Sequence, residues 1–546
     1  MRQLPSICYG LLLVFFAWTA LPAAENAPLR GRIVDADSGE PLPARIYIQH
    51  KDGTWFFPQS AAKEGSAVEY RKQRGQGGGS IEQHTTLSAH PFVVDLPPGE
   101  VTVTIERGKE YFSLSEVIRM DGKPREATFR LRRWINMAGD GWYSGDTHNH
   151  RSLTELPNVA AAEDVNVSLP LVYWVTQAFK SPATSEKSIQ TDAPAKVIAI
   201  DKTHVIYPRN TEYEIFTVDG VRHTLGAVFL INHKSVFTEG VPPVGRVAEK
   251  AHAEGALLEL DKHNWPWSMA LVPIMNVDLF ELSNNHIWRT DFYFKRFGET
   301  VPEYMKIDQN DDGMTERGWI DFGFQNYYAL LNCGFRMRPT AGTASGVHPV
   351  PLGFGRVYVH LPEGFSYDDW MKGLDEGRSF VTTGPMLLAK VNGQQPGHTF
   401  KVQSSTPGKP ATYRVTGTAI GPKPLERIEI VVAGQVARQI RPTNTKTKQG
   451  AYESRFDETI PIDGSSWIAV RCYARQPDGR WRFAHSGPVH IDVAGSPLRP
   501  RKAEAQYLVD RVQEQIERSE KVLPKAALDE YRKALRIYQE IAKTAR

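Results

Sequence analysis

Hydrophobic periodicity changes several times along this chain, and each change limits what the neighbouring residues can build. From Leu29 to about Arg133, short alternating runs such as Arg32-Ile33-Val34 and Val101-Thr102-Val103-Thr104-Ile105 are separated by turn sequences at Asp37-Ser38-Gly39 and Pro97-Pro98-Gly99-Glu100. A period of two puts alternate side chains on opposite faces of a strand, which predicts a small β-sandwich. Between about Gly141 and Pro385, apolar strand-like runs alternate with helical segments, as in an α/β architecture whose ligands sit at the C-terminal strand ends. Strand patterns return from Leu387 to Val493 and predict a second sandwich. After Arg501 the apolar residues Leu508, Val512 and Ile516, then Leu528, Tyr531, Leu535 and Tyr538, fall at helical spacing on either side of Pro524, giving a helical hairpin with a solvated Lys/Glu face.

Three units in the α/β part show where polar residues would emerge. A helix over Val244 to Glu254 stops at Gly255, the strand Ala256 to Leu260 follows, and His263 lies just past its end. The strand Val277 to Leu282 delivers Asn284, Asn285 and His286. A helix around Asp321 to Cys333, capped by Gly334, leads to a segment ending in His348. Ser366 and Asp369 form a capping box for a further helix that ends at Gly377.

Composition excludes several classes of protein. With 41% hydrophobic and 23% charged residues the chain is globular in character, and a net charge of +3 with intermixed signs offers no basic run to track a phosphate backbone, so nucleic acid is not an expected partner. The start, Met1-Arg2 followed by an apolar stretch from Tyr9 to Leu21 and small residues at Ala23-Ala24, reads as a secretory signal over residues 1–24, with no later segment apolar enough to span a membrane. The mature protein is therefore expected to be exported, periplasmic or extracellular. Without Cys8 only Cys333 and Cys472 remain, in different expected domains, so cores rather than disulfides must stabilise the fold. The insert from Gly75 to Gly79 lacks the following lysine and hydroxyl of a phosphate cradle and reads as a loop.

The chemistry concentrates in Gly145-Asp146-Thr147-His148-Asn149-His150. Residues i and i+2 of a strand face the same side, so His148 and His150 make a two-nitrogen clamp suited to zinc, iron or manganese. Asp146 is placed to accept from an imidazole N–H, and Arg356 to neutralise an anionic leaving group.

Taken together, Trp142 to His150, Asn332 to Gly342, Arg356-Val-Tyr-Val and Gly377-Arg-Ser-Phe-Val-Thr-Thr-Gly-Pro385 resemble the carbaryl-hydrolase-like branch of the PHP (polymerase and histidinol phosphatase) metallohydrolases over about 245 residues. Gly31 to Gly39 with Pro41 to Arg45 resembles a carboxypeptidase-regulatory-like module, a type that is accessory to the enzymes it precedes. The resemblance implies a distorted (β/α)7 barrel holding one to three divalent metals, with His148, His150 and His263 as ligands. The family's middle glutamate falls in Asn210 to Ile215, where Glu212 and Glu214 compete and Glu214 is preferred; His223 is a further candidate. Two departures stand out. Val172-Tyr-Trp174 occupies the place of an expected Asp-His pair, and Ala341-Gly-Thr-Ala-Ser-Gly-Val-His348 lacks the usual late aspartate, leaving His348 as its substitute.

Asp308 to Gly313 fits half of a calcium loop, but Trp319 stands where a bidentate glutamate belongs, so a polar turn is expected; Trp265 and Trp267 could wall a sugar or aromatic ring. The expected architecture is multidomain α/β plus β: signal 1–24, regulatory-like sandwich 25–135, PHP-like barrel 136–386, sandwich 387–496 and helical hairpin 497–546. The expected activity is hydrolysis of a phosphoester or a carboxylic or carbamic ester, on a small-molecule or carbohydrate-derived substrate, by metal-activated water. The rival expectation is a catalytically degenerate scaffold that binds carbohydrate or a surface partner.

Overall fold

In the strand Phe92–Leu96 the side chains of Phe92, Val94 and Leu96 are buried and Asp95 is exposed, the alternation that lets a strand cover a core on one face only. Two sheets form here; the alternation recurs in Gly99–Glu106 and Arg125–Leu131, whereas Ala44–His50, central in its sheet, is buried on both faces. One orders its strands Arg125–Leu131, Ala27–Asp35, Phe92–Leu96 and Gln59–Ser60; the other runs Ala67–Arg74, Ser80–Leu87, Ala44–His50, Gly99–Glu106 and Leu114–Met120, with Trp55–Phe56 beside Ala44–His50. Leu29, Phe92 and Phe129 from the first and Ile46 and Val103 from the second share one apolar cluster. The chain, seen here as a computed structural model, is described over residues 25–74, 80–184, 192–296, 301–403 and 410–546; the expected signal segment and the Gly75 to Gly79 insert lie outside these.

Sheet-rich α/β structure follows. A seven-stranded sheet orders Ala183–Thr184, Tyr173–Gln177, Thr211–Val218, Val221–Ile231, Leu257–Leu260, Leu279–Ser283 and Arg338–Ala341. It departs from a uniformly parallel expectation, because Thr211–Val218, Val221–Ile231 and Leu257–Leu260 pair antiparallel. The reason is local: Asp219, with φ 47°, and Gly220, with φ 78°, close a tight hairpin that joins the first two of these strands directly. A second sheet pairs Val167–Pro170 with Trp142–Asn149, then Arg356–His360 and Ser379–Thr382, and continues into Trp481–Ser486, Ser466–Arg475 and Leu425–Val432. The pairing of Phe380 with Ser486 therefore carries one sheet across the boundary expected at residues 386–387.

Seven α-helices lie among the described residues: α1 (Leu156–Glu163), α2 (Gly245–Ala253), α3 (Ser268–Met275), α4 (Glu316–Asn332), α5 (Tyr367–Asp375), α6 (Lys502–Ser519) and α7 (Lys525–Lys543). None is long and apolar enough to cross a membrane. Helix α4 begins earlier than its apolar periodicity suggests, because the Thr315 side chain accepts from the Gly318 N–H and fixes the start. The Ser366 cap of α5 forms as expected, accepting from the Asp369 N–H. The two last helices pack their apolar stripe, including Leu508, Val512, Tyr531 and Tyr538, into the same cluster as the seven-stranded sheet. Glu530 on α7 accepts from the N–H groups of Val244 and Gly245, both at 2.8 Å, and so places a carboxylate at the N-terminus of α2. Asp308 to Gly313 forms a small hairpin turn, Gln309–Asn310 against Gly313–Met314, and Trp319 is buried in α4.

Candidate metal centre

Every residue of the strand Trp142–Asn149 is buried, and two glycines explain how it fits. A Cβ on Gly145 would sit 2.3 Å from the Trp370 ring. Gly342, on the neighbouring segment, is tighter still: a Cβ there would lie 2.1 Å from the His148 Cβ and 2.3 Å from Glu281 Oε1. Backbone bonds then stitch this segment to the motif, from the Thr343 and Ala344 N–H groups to the His148 carbonyl (2.9 and 2.7 Å) and from the His150 N–H to the Ser345 carbonyl (2.7 Å). The stretch in which the late aspartate is missing thus positions His148. Substituting Gly342→Ala is expected to displace His148 and Glu281 together and to weaken divalent-metal affinity by roughly 10–100-fold, the range seen when a ligand's support is lost; a chelator-competition titration that finds unchanged affinity would refute this.

His148 and His150 face each other with ring centroids 5.4 Å apart. His148 Nδ1 lies 2.9 Å from Glu281 Oε1, and His150 Nε2 lies 3.3 Å from Glu212 Oε2. Two groups of potential ligand atoms result, His148 with His150 and Glu212, and His148 with Asp261 and Glu281, each with its atoms within 4.8 Å of one another. Burial pushes the His148 pKa well below the usual imidazole value, which keeps the ring neutral, as a ligand must be. Burial also pushes Glu212 and Glu281 well above the usual carboxyl range, with Glu214 and Asp261 respectively adding like-charge repulsion. Asp261 behaves oppositely: burial disfavours its charge, but the Lys262 ammonium beside it and a hydrogen bond with Glu281 hold its pKa well below the usual range.

Lys262 sits between the two groups. Its Nζ is 2.8 Å from Glu214 Oε1 and 3.7 Å from Glu212 Oε1, and it pairs closely with Asp261. Beneath the site, Glu259 Oε1 accepts from Thr147 Oγ1 (2.8 Å) and Thr340 Oγ1 (2.6 Å), and burial raises its pKa to about 8. The donor set fits a divalent cation: neutral nitrogen and carboxylate oxygen are ligands of zinc, iron and manganese, and Glu212 Oε2 is buried without a hydrogen bond.

The sequence-derived candidates fall in different places. His148 and His150 come together, and Glu212, rather than the preferred Glu214, lies at ligand distance; Glu214 turns to Lys262 instead. Asp146 accepts from the backbone N–H of His148 (3.0 Å), from Thr343 Oγ1 (2.6 Å) and from the Gly353 N–H (2.8 Å), not from an imidazole, and burial raises its pKa to about 6. Its part is to tie the strand end to two loops. Arg356 donates to the carbonyls of Gly353, Glu163 and Asp164 and so caps the C-terminus of α1, a structural task away from the two ligand groups.

His263 stacks on Trp319 (4.9 Å) and Phe280 (5.6 Å), and its Nδ1 meets Asn326 Nδ2 at 3.0 Å. It belongs to neither ligand group, because the chain turns through the left-handed region at Lys262 (φ 45°) and sends the next side chain into the aromatic packing of α4. His223 stands at the far end of its strand, 3.2 Å from Ser519 Oγ on α6. His348 lies at the rim, its Nε2 3.1 Å from Arg74 and 3.3 Å from Asn285. Trp267 is core, while Trp265 meets Phe216 edge-on and lies 5.1 Å from Lys262 Nζ.

Sequence reasoning missed Asp261, Lys262, Glu281 and Arg74. Asp261-Lys262 follows a strand directly, and Glu281 lies on a strand at a register that shares a face with Glu259, which alternation could have exposed. Arg74 had no such signal. It arrives on the N-terminal hairpin whose Tyr70 donates to the His348 carbonyl and accepts from the Gly346 N–H, so the module expected to be accessory touches the rim.

Fold and site define a sheet-rich α/β protein with two histidine–carboxylate groups able to hold a divalent ion. No protein-family model matches the chain, and no curated protein matches it. Among solved structures the chain is similar to a two-domain protein from Bacteroides vulgatus ATCC 8482 described as containing a predicted PHP-like metal-dependent phosphoesterase; the match covers 65% of this chain and 96% of that one at 12% identity, with a TM-score of 0.28. At that distance the likeness carries nothing about the site.

Proposed function

We propose that this chain is an exported, PHP-type metal-dependent hydrolase whose centre is held by His148, His150, Glu212, Asp261 and Glu281, and that it cleaves a phosphoester in preference to a carboxylic or carbamic ester. The observation that carries the reading is that two ligand groups drawn from four separate strands and the residues next to them share one neutral, buried imidazole. The two middle sheets then form the distorted barrel of that fold, between residues 136 and 386, with the regulatory-like sandwich at 25–135 before it and the sandwich 387–496 and hairpin 497–546 after it.

A divalent ion in such a set supplies Lewis-acid polarisation and a water whose pKa drops to roughly 7. The chain's own residues do the rest. Glu281 orients the His148 ring, Asp146 fixes the backbone behind it, and Lys262 holds Glu214 and Asp261. Arg74 has no carboxylate partner among the described residues and stands beside His348, where it would take the negative charge of a phosphoester; that placement favours the phosphoester over a neutral ester.

The rival reading, a degenerate scaffold that binds a carbohydrate or surface partner, draws on Lys262, since an ammonium can satisfy carboxylates without any ion. Elemental analysis and turnover separate the two. The hydrolase is expected to hold stoichiometric zinc, iron or manganese and to hydrolyse p-nitrophenyl phosphate, losing both on dialysis against a chelator; metal-free protein with no turnover after adding each ion sinks it.

A further inference from the structure

Lys262 is placed by its backbone before it is placed by its ion pairs. Its φ of 45° is the left-handed conformation, which lysine rarely adopts and which persists only where surroundings impose it. They do so here: the Lys262 carbonyl accepts from Ser268 Oγ (2.7 Å) and from the Trp265 N–H (2.9 Å), pinning the turn independently of the side chain's charge. The buried side chain is thereby aimed at Asp261 from one ligand group, Glu212 from the other, and Glu214 between them.

Resting on the metal-centre reading above, we propose that the Lys262 ammonium is a permanent cation of this centre, taking the place of a second divalent ion, so that each chain binds one. The charges agree. Glu212, Glu214, Asp261 and Glu281, ionised, outweigh one ammonium by three charges, and a single dication nearly neutralises what is left. The first dication already shares Glu212 or Asp261 with the ammonium, and a second would bring three cations together around His148, a repulsion that a buried, low-dielectric site screens weakly.

The test is manganese(II) titration of the full-length chain, read by elemental stoichiometry and by electron paramagnetic resonance. Wild-type protein is expected to bind one ion with the six-line signal of an isolated manganese(II). Lys262→Met, which keeps length and removes charge, is expected to bind two, with the broadened signal of a coupled pair. Two or more ions in the wild type, or one ion in a folded Lys262→Met, overturns the proposal while leaving the hydrolase reading in place; no ion in the wild type overturns that reading instead. Should Lys262→Met fail to fold, Lys262→Gln takes its place, and if neither folds the wild-type count decides: one supports the proposal and two defeats it.

Discussion

Replacing His148 with alanine is expected to empty the centre of its divalent ion and abolish hydrolysis while the chain stays folded. His148 belongs to both ligand groups, so its loss breaks both at once, which no other single residue does. The effect on metal affinity should exceed the roughly 10–100-fold that losing an outer-shell partner costs. The cost to stability is smaller. Glu281 Oε1 loses its imidazole partner, and one unsatisfied buried group costs about 1–3 kcal/mol, against the roughly 5–15 kcal/mol that typically holds a domain together. His263→Ala is the matching control. It removes a ring stacked between Trp319 and Phe280 and so should lower the melting temperature yet leave metal content unchanged. Elemental analysis of both variants beside their circular dichroism checks the pair; a His148→Ala protein that retains full metal and turnover defeats the assignment.

Glu259 and Asp146 are each expected to take stability from the metal-free protein as pH rises from about 5 to 8, while buried histidines such as His148, His263 and His485 act with the opposite sign, so the effect is read as the difference between the wild type and Glu259→Gln. Burial raises Glu259 to about 8 and Asp146 to about 6, so their folded-state pKa values lie above those of the unfolded chain. A group shifted in that direction contributes stability that is complete below its unfolded pKa and is lost as pH climbs through its folded pKa. The window therefore opens near the ordinary carboxyl range and closes near 8 for Glu259. At about 1.4 kcal/mol per pKa unit, the two shifts amount to several kcal/mol in order of magnitude. Glu212 and Glu281, also shifted upward, steepen the same slope, and they are the carboxylates that a bound cation would hold ionised. A melting-temperature difference between chelator-treated wild type and Glu259→Gln that stays constant between pH 5 and 8 would exclude this account.

Much of the architecture was legible because it rests on periodicity and punctuation. The change from strand alternation to mixed elements, the Ser366 cap of α5 and the two apolar stripes around Pro524 all appear where local rules put them. The hairpin Thr211–Val218 to Val221–Ile231 was not drawn from the sequence, although Asp219-Gly220 between two apolar runs is a strong hairpin signal. Nor was the sheet that joins Ser379–Thr382 to Trp481–Ser486, since pairing between strands about 100 residues apart leaves no mark on either strand alone.

The site divides along the same line. From the residues themselves came the His148/His150 pair, because HxH on a strand is local geometry, while the family resemblance supplied Glu212 and Glu214 as competing candidates and favoured Glu214. Only the tertiary structure decided that His263 turns into an aromatic stack, that Arg356 caps a helix, and that Asp261, Lys262 and Glu281 surround the imidazole. Whether a polar side chain meets a metal or a neighbour depends on which strand end lies opposite, and that is fixed by long-range pairing and the burial it creates rather than by the residues on either side.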